Sequence, residues 1–434
     1  MSRRIYFDGL NLALEQGTGI ATYTRMLANL TRELGFEVGV VYSTPQRPAK
    51  NPLLREISLF DARTTGKKPQ SREVWQAISD QLRYPLGLEP TPVNLSGKVI
   101  TDQFRSQLPA HDHVFIARNL FANARRHFSL TGSFVDLAFA APPNILHCTY
   151  QLPIRAKRAC NVYTIHDLIP LRLPFTTLDN KRYTYRLLRK IAAEADHIVT
   201  VSENSKRDIV QLLGVDEKRV TNTYEAVEFP REFVERPDAL IAEQLRGSYG
   251  LEAGSYLLFY GALEPKKNVR RLVDAYLLSA VDMPLVITGA VGWGNTAETK
   301  LLQSLRTQSH AMGGRRRIVQ LEYVGIPMLI ALIRGATAVL FPSLYEGFGL
   351  PILEAMLLGT PVVTSRTSSI PEIAGDAALC IDPYETDDIA GAIKTIAADS
   401  DLRAELSRRG RRQAELFSVA RYRQRIAALY EQLG

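Results

Sequence analysis

The sequence predicts two doubly wound α/β domains in tandem. Three observations predict this class. With 434 residues, 46% of them hydrophobic and 23% charged, the chain is globular and too long for one ordinary core. Short apolar runs alternate with amphipathic helical patterns in both halves. Many of these runs end in glycine, proline or polar turn residues, which is where parallel sheets present ligand sites.

In chain order, RRIYFDG reads as a strand, EQGTGI as a glycine turn, and ATYTRMLANLTREL as an amphipathic helix capped near Thr18. EVGVVYS returns as a second strand, opening a βαβ unit. The stretch from about Pro45 to Pro143 mixes prolines with irregular patterns and supports no assignment. NILHCTY, NVYTIHDLIP and HIVTVSE are three strand ends, two of them followed by helical patterns. Glu228 to Gly254, with prolines, many charges and a modest helical pattern, marks the expected boundary. Beyond it the rhythm repeats: SYLLFYGAL and a helix from Asn268, MPLVITGA, RIVQLEYV with IPMLIALIRGA, AVLFPS, TPVVTS and AALCID with more helix. The expected division is 1–235, 236–415 and a final helix in 416–434, ARYRQRIAALYEQL, whose apolar face needs a partner surface.

Composition narrows the function classes. The apolar runs Tyr256 to Leu263 and Ile326 to Ile333 fall well short of the roughly 18 residues of a membrane span. Arg3 and Arg4 lead into a strand without an apolar signal core, so a cytoplasmic protein is expected. Cys148, Cys160 and Cys380 are far apart and lack metal-binding spacing. A net charge of +8 favours an acidic partner: nucleic acid, an anionic membrane face or a phosphorylated substrate. In NKRYTYRLLRK, Lys181, Arg182, Arg186, Arg189 and Lys190 share much of one helical surface, either a solvated face or a membrane-docking patch. The DxD pair Asp399 and Asp401 reads as a helix N-cap, and no metal is expected.

The informative stretch is YEGFGLPILE, Tyr345 to Glu354. Pro351 suits a first helical turn, and Gly359 with Pro361 ends that helix about two turns later. Gly347 and Gly349 let backbone approach a ligand and expose amides, which with the helix dipole suit phosphate. Glu346 in the loop and Glu354 in the first helical turn bracket that site. Carboxylates accept paired hydrogen bonds from vicinal hydroxyls, so one glutamate per sugar ring suits a nucleoside diphosphate sugar. Alone, Glu354 is a dipole-stabilising residue worth about 0.3–1 kcal/mol and Glu346 a solvated loop charge. The joint pattern distinguishes them.

The run FPSLYEGFGLPILEAMLLGTPVVTSRTSSIPEIAGDAAL resembles the signature of the group 1 (family four) retaining glycosyltransferases of GT-B architecture. The likeness extends to YGALEPKKN, YTIHDLIPL, VTVSENSKRDI and the GTGI turn. It implies two Rossmann-like domains facing a cleft, with the C-terminal helix returning to the N-terminal domain. By resemblance, Glu346 meets the donor sugar and Glu354 the ribose, while Gly347, Phe348, Gly349 and Leu350 line the sugar and phosphates. Lys267 is the phosphate-binding lysine, and His166 reaches the sugar from the N-terminal domain with Asp167 orienting its loop. Gly17 and Gly19 form the turn near the diphosphate and acceptor. Gly261 precedes Ala262 where the family often carries arginine, so one phosphate contact is absent and Lys266 is a candidate to replace it. Tyr323 and Val324 occupy the place of base contacts, in a shorter loop.

TIHDLIPLRLP with SRTSSIPEIAGDAA looks most like polysaccharide mannosyltransferases. That implies transfer from GDP-mannose without metal or other cofactor, to a saccharide or lipid-linked saccharide at the inner face of the membrane. A peripheral contact with anionic lipid is expected, and no nucleic acid. UDP- and dTDP-sugars stay open as donors, as does a non-catalytic nucleotide-sugar-binding protein of the same fold. A dehydrogenase would need GxGxxG and an acidic ribose partner, which the N-terminal turn lacks.

Overall fold

The computed structural model describes residues 3–13, 19–61, 87–101, 104, 108–289, 318–321 and 324–434. The first lobe holds strands β1 (Arg4–Asp8), β2 (Glu37–Thr44), β3 (Thr91–Val93), β4 (His113–Arg118), β5 (Val135–Leu137), β6 (Ile145–Cys148), β7 (Ile154–Ala156), β8 (Cys160–Thr164), β9 (His197–Thr200) and β10 (Val220–Asn222). Eight form one sheet in the order β10-β9-β8-β6-β1-β2-β4-β3, parallel except for β3 on β4. The pair β5 and β7 stands apart. The chain winds outward from β1 through β2 to β4, then resumes on the other side of β1 with β6. The order therefore reverses between β1 and β6, which opens a crevice at their carboxyl ends.

Helices α1 (Gly19–Glu33), α2 (Pro52–Phe60), α3 (Leu120–Thr131), α4 (Lys181–Glu194) and α5 (Glu203–Leu213) accompany this sheet. Covered on both faces, β6 and β9 are buried at every position, so they lack the alternation of a half-exposed strand.

The second lobe begins with α6 (Asp238–Tyr249) ahead of its sheet, in the segment expected as a boundary. Its buried Ile241 and Leu245 face the later helix Ile326–Gly335, whose Arg334 donates to the carbonyls of Val234 and Arg236 at 2.6 and 2.9 Å. Then come β11 (Leu257–Tyr260), α7 (Val269–Ser279), β12 (Leu285–Thr288), β13 (Ile318–Leu321), α8 (Ile326–Gly335), β14 (Ala338–Phe341), α9 (Leu350–Leu357), β15 (Val362–Ser365), α10 (Ile370–Ala374), β16 (Leu379–Ile381), α11 (Thr386–Ala398) and α12 (Ser400–Glu415). The sheet order is β13-β12-β11-β14-β15-β16, all parallel, and it reverses between β11 and β14. Asp399 caps α12, accepting from Leu402 N at 2.8 Å as its sequence position predicts.

The last helix, α13 (Val419–Leu433), crosses back and buries Tyr422, Ile426, Leu429 and Tyr430 against the first lobe. The Tyr430 hydroxyl meets Nδ1 of His147 at 2.8 Å, and its ring lies 5.8 Å from that of Phe36. Where the chain passes between lobes, Tyr224 and Phe417 pack together with ring centres 5.3 Å apart.

The unassigned stretch from Pro45 to Pro143 contains α2, β3, β4, α3 and β5. Leu53, Leu54 and Ile57 of α2 are exposed while Glu56 is buried, so the apolar side of this helix is not the side it buries among the described residues. The Glu56 carboxylate accepts from Ser96 N and Oγ at 3.0 and 2.6 Å. Proline within the short β3 is tolerated because that strand is at the sheet edge.

Candidate active site

Lys267 follows β11 and Glu346 follows β14, so the two residues stand on opposite banks of the second lobe's crevice. Their side chains meet there: Lys267 Nζ is 2.7 Å from Glu346 Oε1, and Lys266 Nζ is 3.6 Å from Oε2. Glu346 is buried. Burial pushes its carboxyl up, but Lys266 and Lys267 more than offset this and hold it below the usual carboxylate range. For Lys267, burial and the neighbouring Lys266 bring the ammonium below its ordinary value despite Glu346. Lys266 is also desolvated, yet Glu346, Asp167 and Glu264 hold it above. The site thus gathers two lysines around Glu346, with Glu264 Oε2 also 3.8 Å from Lys266 Nζ.

The loop between Glu346 and α9 is shaped by Gly349, whose φ of +114° admits a residue without Cβ and turns the chain into the helix. Ser369 Oγ braces it from beneath, 2.9 Å from the carbonyls of both Glu346 and Phe348, and Ser368 Oγ accepts from Glu346 N at 3.0 Å. These serines are the SSIPE part of the motif. Phe348 turns its ring away from the crevice, onto Tyr224 and Phe417, with ring centres 6.4 and 5.6 Å off. Leu350 opens α9 and faces Gly19 of the first lobe, where an added Cβ would stand 3.4 Å from Leu350 Cδ1.

One local expectation needs correcting. Glu354 lies in the second turn of α9, because the helix begins only at Leu350 after the Gly349 turn. Its carboxyl answers to burial, which pushes it up to about 7, partly offset by the Tyr260 hydroxyl and Lys267. Asn268 precedes α7 but makes no side-chain cap. Instead its Nδ2 donates to the carbonyls of Pro342 and Pro383 at 3.2 and 2.7 Å, tying the three loops at the carboxyl ends of β11, β14 and β16.

Gly261, with φ of +132°, ends β11 and donates from its N to Thr288 O at 3.0 Å. Val324 is half-buried just before α8. Tyr323 and Gly17 lie outside the described residues.

From the first lobe, His166 follows β8 and faces this loop. A Cβ added at Gly347 would stand 2.7 Å from His166 O and 3.0 Å from Asp167 Cβ, so only glycine lets the lobes approach so closely. The His166 ring is held within its own lobe, Nε2 at 3.0 Å from Thr149 O and Nδ1 at 3.3 Å from Glu225 Oε1. Burial lowers its proton affinity, but the hydrogen bond and charge of Glu225 outweigh this and leave it raised. Asp167 Oδ1 accepts from Ile169 N at 3.0 Å, the loop-orienting role expected of it. Thr149 is in turn fixed by buried Asp8, whose Oδ2 accepts from its N and Oγ1 at 2.5 and 2.8 Å. Sequence reasoning missed Glu225, Thr149 and Tyr260. Each stands outside the motifs and gains meaning only through strand order.

Two facing doubly wound lobes, with a cationic and carboxylate-bearing crevice at the strand-order reversal of the second, define a glycosyltransferase of GT-B fold. The chain belongs to the group 1 (family four) glycosyltransferases: residues 242–413 match the model of "Glycosyl transferases group 1" and residues 98–228 that of "Glycosyltransferase Family 4". It is 35% identical over 274 residues to the O-antigen chain mannosyltransferase B of Escherichia coli, covering 62% of this chain and 69% of that one. It is 27% identical over 266 residues to the serotype-specific mannosyltransferase WbdA of E. coli, covering 60% of this chain but 32% of that protein. Among solved structures, HepE of Anabaena in complex with UDP and glucose superposes with a TM-score of 0.66 over 99% of this chain and 100% of that one, at 16% identity. That likeness concerns the fold. Among the described residues no helix is long and apolar enough to cross a membrane.

Proposed function

We propose that this glycosyltransferase moves mannose from GDP-mannose, with retention of anomeric configuration, to a hydroxyl of an oligosaccharide or lipid-linked saccharide during surface polysaccharide synthesis. The observation that carries the reading is the Lys267–Glu346 pair at the start of α9. It offers cations to a diphosphate and a carboxylate to sugar hydroxyls in one crevice. The mannosyltransferase names of the relatives support the choice of sugar.

In the proposed step the bond between the sugar's anomeric carbon and the diphosphate oxygen breaks, leaving an oxocarbenium-like ring. Lys266 and Lys267 neutralise the departing diphosphate, so no divalent metal is required. The acceptor oxygen bonds to the same face, and its proton passes to the leaving phosphate oxygen. Glu354 takes the ribose hydroxyls. His166, with both nitrogens engaged, serves as a fixed wall for the sugar and leaves proton transfer to the phosphate.

The acceptor would be met at the inner membrane face. Phe175 and Leu178, each 73% exposed, lead into α4, which also exposes Arg182 and Arg186. Aromatic and aliphatic side chains beside cations suit an anionic bilayer surface. Co-sedimentation with phosphatidylglycerol vesicles at low salt supports this contact, and its absence there removes it.

A thermal-shift and product screen tests the donor with GDP-mannose, UDP-glucose, UDP-galactose and dTDP-rhamnose, with and without chelator. Stabilisation by GDP-mannose and an α-mannosidic product support the proposal. Turnover of a UDP- or dTDP-sugar in its place, an inverted product or reversible loss on chelation overturns the corresponding part, and binding without turnover points to a non-catalytic protein.

A further inference from the structure

The first turn of α5, in the first lobe, is capped from the second. Of its leading amides, Ser205 N donates to Ser202 Oγ at 3.0 Å, as the SxxS sequence leads one to expect. The two before it turn to the other lobe: Glu203 N and Asn204 N donate to the carboxylate of Glu372 on α10, at 2.8 and 3.2 Å. A helix start carries partial positive charge and unsatisfied donors, so a carboxylate is its natural partner. Here that partner belongs to a different folding unit.

The same helix holds both neighbours of Glu346. Asn204 Nδ2 donates to the Tyr345 hydroxyl at 2.8 Å, and that hydroxyl donates in turn to Asp208. Ser205 Oγ stands 2.9 Å from His166 O and 3.3 Å from Gly347 O. Glu346 therefore sits between two residues anchored to the opposite lobe, and α5 is the anchor.

We propose that Glu372 is a positioning residue for glycosyl transfer: by capping α5 across the cleft it latches the lobes shut and so fixes Glu346 opposite His166. The latch does not touch the reacting atoms. It acts through Tyr345 and Gly347, which move with the second lobe and lose their first-lobe partners when the cap is released.

The test begins with the ligand-free enzyme, so that it does not depend on the donor proposed above. Small-angle scattering and a pair of spin labels, one per lobe, report the separation of the lobes. Hydrogen exchange reports the Glu203 and Asn204 amides. Glu372→Ala is expected to enlarge the radius of gyration, lengthen the interlobe distance and expose both amides. Glu372→Gln, which keeps one neutral acceptor, falls between, and it carries the test should the alanine variant not fold. Asp376→Ala, on the same segment, matches the parent.

For transfer, kcat falls about tenfold in Glu372→Ala, the factor that loss of a helix cap corresponds to, with partial recovery in the glutamine variant. Unchanged scattering, distances and exchange in both Glu372 variants overturn the latch. Failure of GDP-mannose to bind the parent enzyme overturns only the donor assignment.

Discussion

Lys267 Nζ and Glu346 Oε1 stand 2.7 Å apart although 79 positions separate them in the chain, and they meet because β11 and β14 are adjacent in the sheet. Removing one partner leaves a buried charge. Lys267→Met is expected to lower stability by about 3 kcal/mol, less where Lys266 moves in, and transfer by about 10²–10³-fold. Glu346→Gln lowers transfer comparably. Urea denaturation and single-turnover kinetics separate the two effects. In the parent, the depressed Glu346 carboxyl contributes stability that is present above its unfolded value of 4.5 and is lost as pH falls below it.

Glu354 responds to pH in the opposite sense. A carboxyl raised to about 7 from an unfolded value of 4.5 stabilises the fold fully below 4.5, and this contribution is lost as pH rises through about 7. In the role proposed for Glu354, accepting the ribose hydroxyls needs the ionised form. Donor affinity should therefore strengthen up to tenfold per pH unit below about 7 and level off above it. Calorimetric titration between pH 6 and 8 checks this, and Glu354→Gln should bind weakly with a flatter profile.

His147 is fully buried between Tyr430 and Thr164, with contacts of 2.8 and 2.9 Å. Burial drives its pKa down to about 3. Its neutral form thus contributes stability that is present above the unfolded value of 6.5 and is lost as pH falls towards 3. Tyr430→Phe leaves Nδ1 unpaired and should lower unfolding free energy by about 1–3 kcal/mol while sparing kcat of the folded enzyme. Denaturation curves at neutral pH, paired with activity at saturating donor, decide it.

Gly347→Ala would drive a methyl into backbone: His166 O at 2.7 Å and Asp167 Cβ at 3.0 Å cannot swing aside as a flexible side-chain tip would. The lobes must part or the loop must shift. Transfer is expected to fall at least tenfold while stability drops by about 1–3 kcal/mol. A variant with parental activity would show that the seam is not closed during turnover.

What the sequence made legible and what it hid have a common cause. The βα rhythm and a helix start inside YEGFGLPILE rest on local periodicity and one contiguous motif, and the structure places both accordingly, whereas Lys267 is singled out by resemblance alone and lies 79 positions from the Glu346 it meets. The carboxylate shell of His166 comes from Glu225, 59 positions away, and the partner of the last helix is His147, 283 positions from Tyr430. Such contacts are fixed by strand order and lobe approach, which no local pattern encodes. The stretch from Pro45 to Pro143 hid its elements because α2 buries a glutamate and exposes leucines. Tyr323 and the GTGI turn, apart from Gly19 and Ile20, lie outside the described residues.

Because α13 completes the core around Tyr23 and Phe36, the second lobe is topologically an insertion within the first. During synthesis the first lobe must wait, its α13 groove unfilled, until the whole second lobe has left the ribosome. Ribosome-bound chains stalled before Val419 should accordingly expose that groove to chaperones, while the lobe made later is the first able to finish folding.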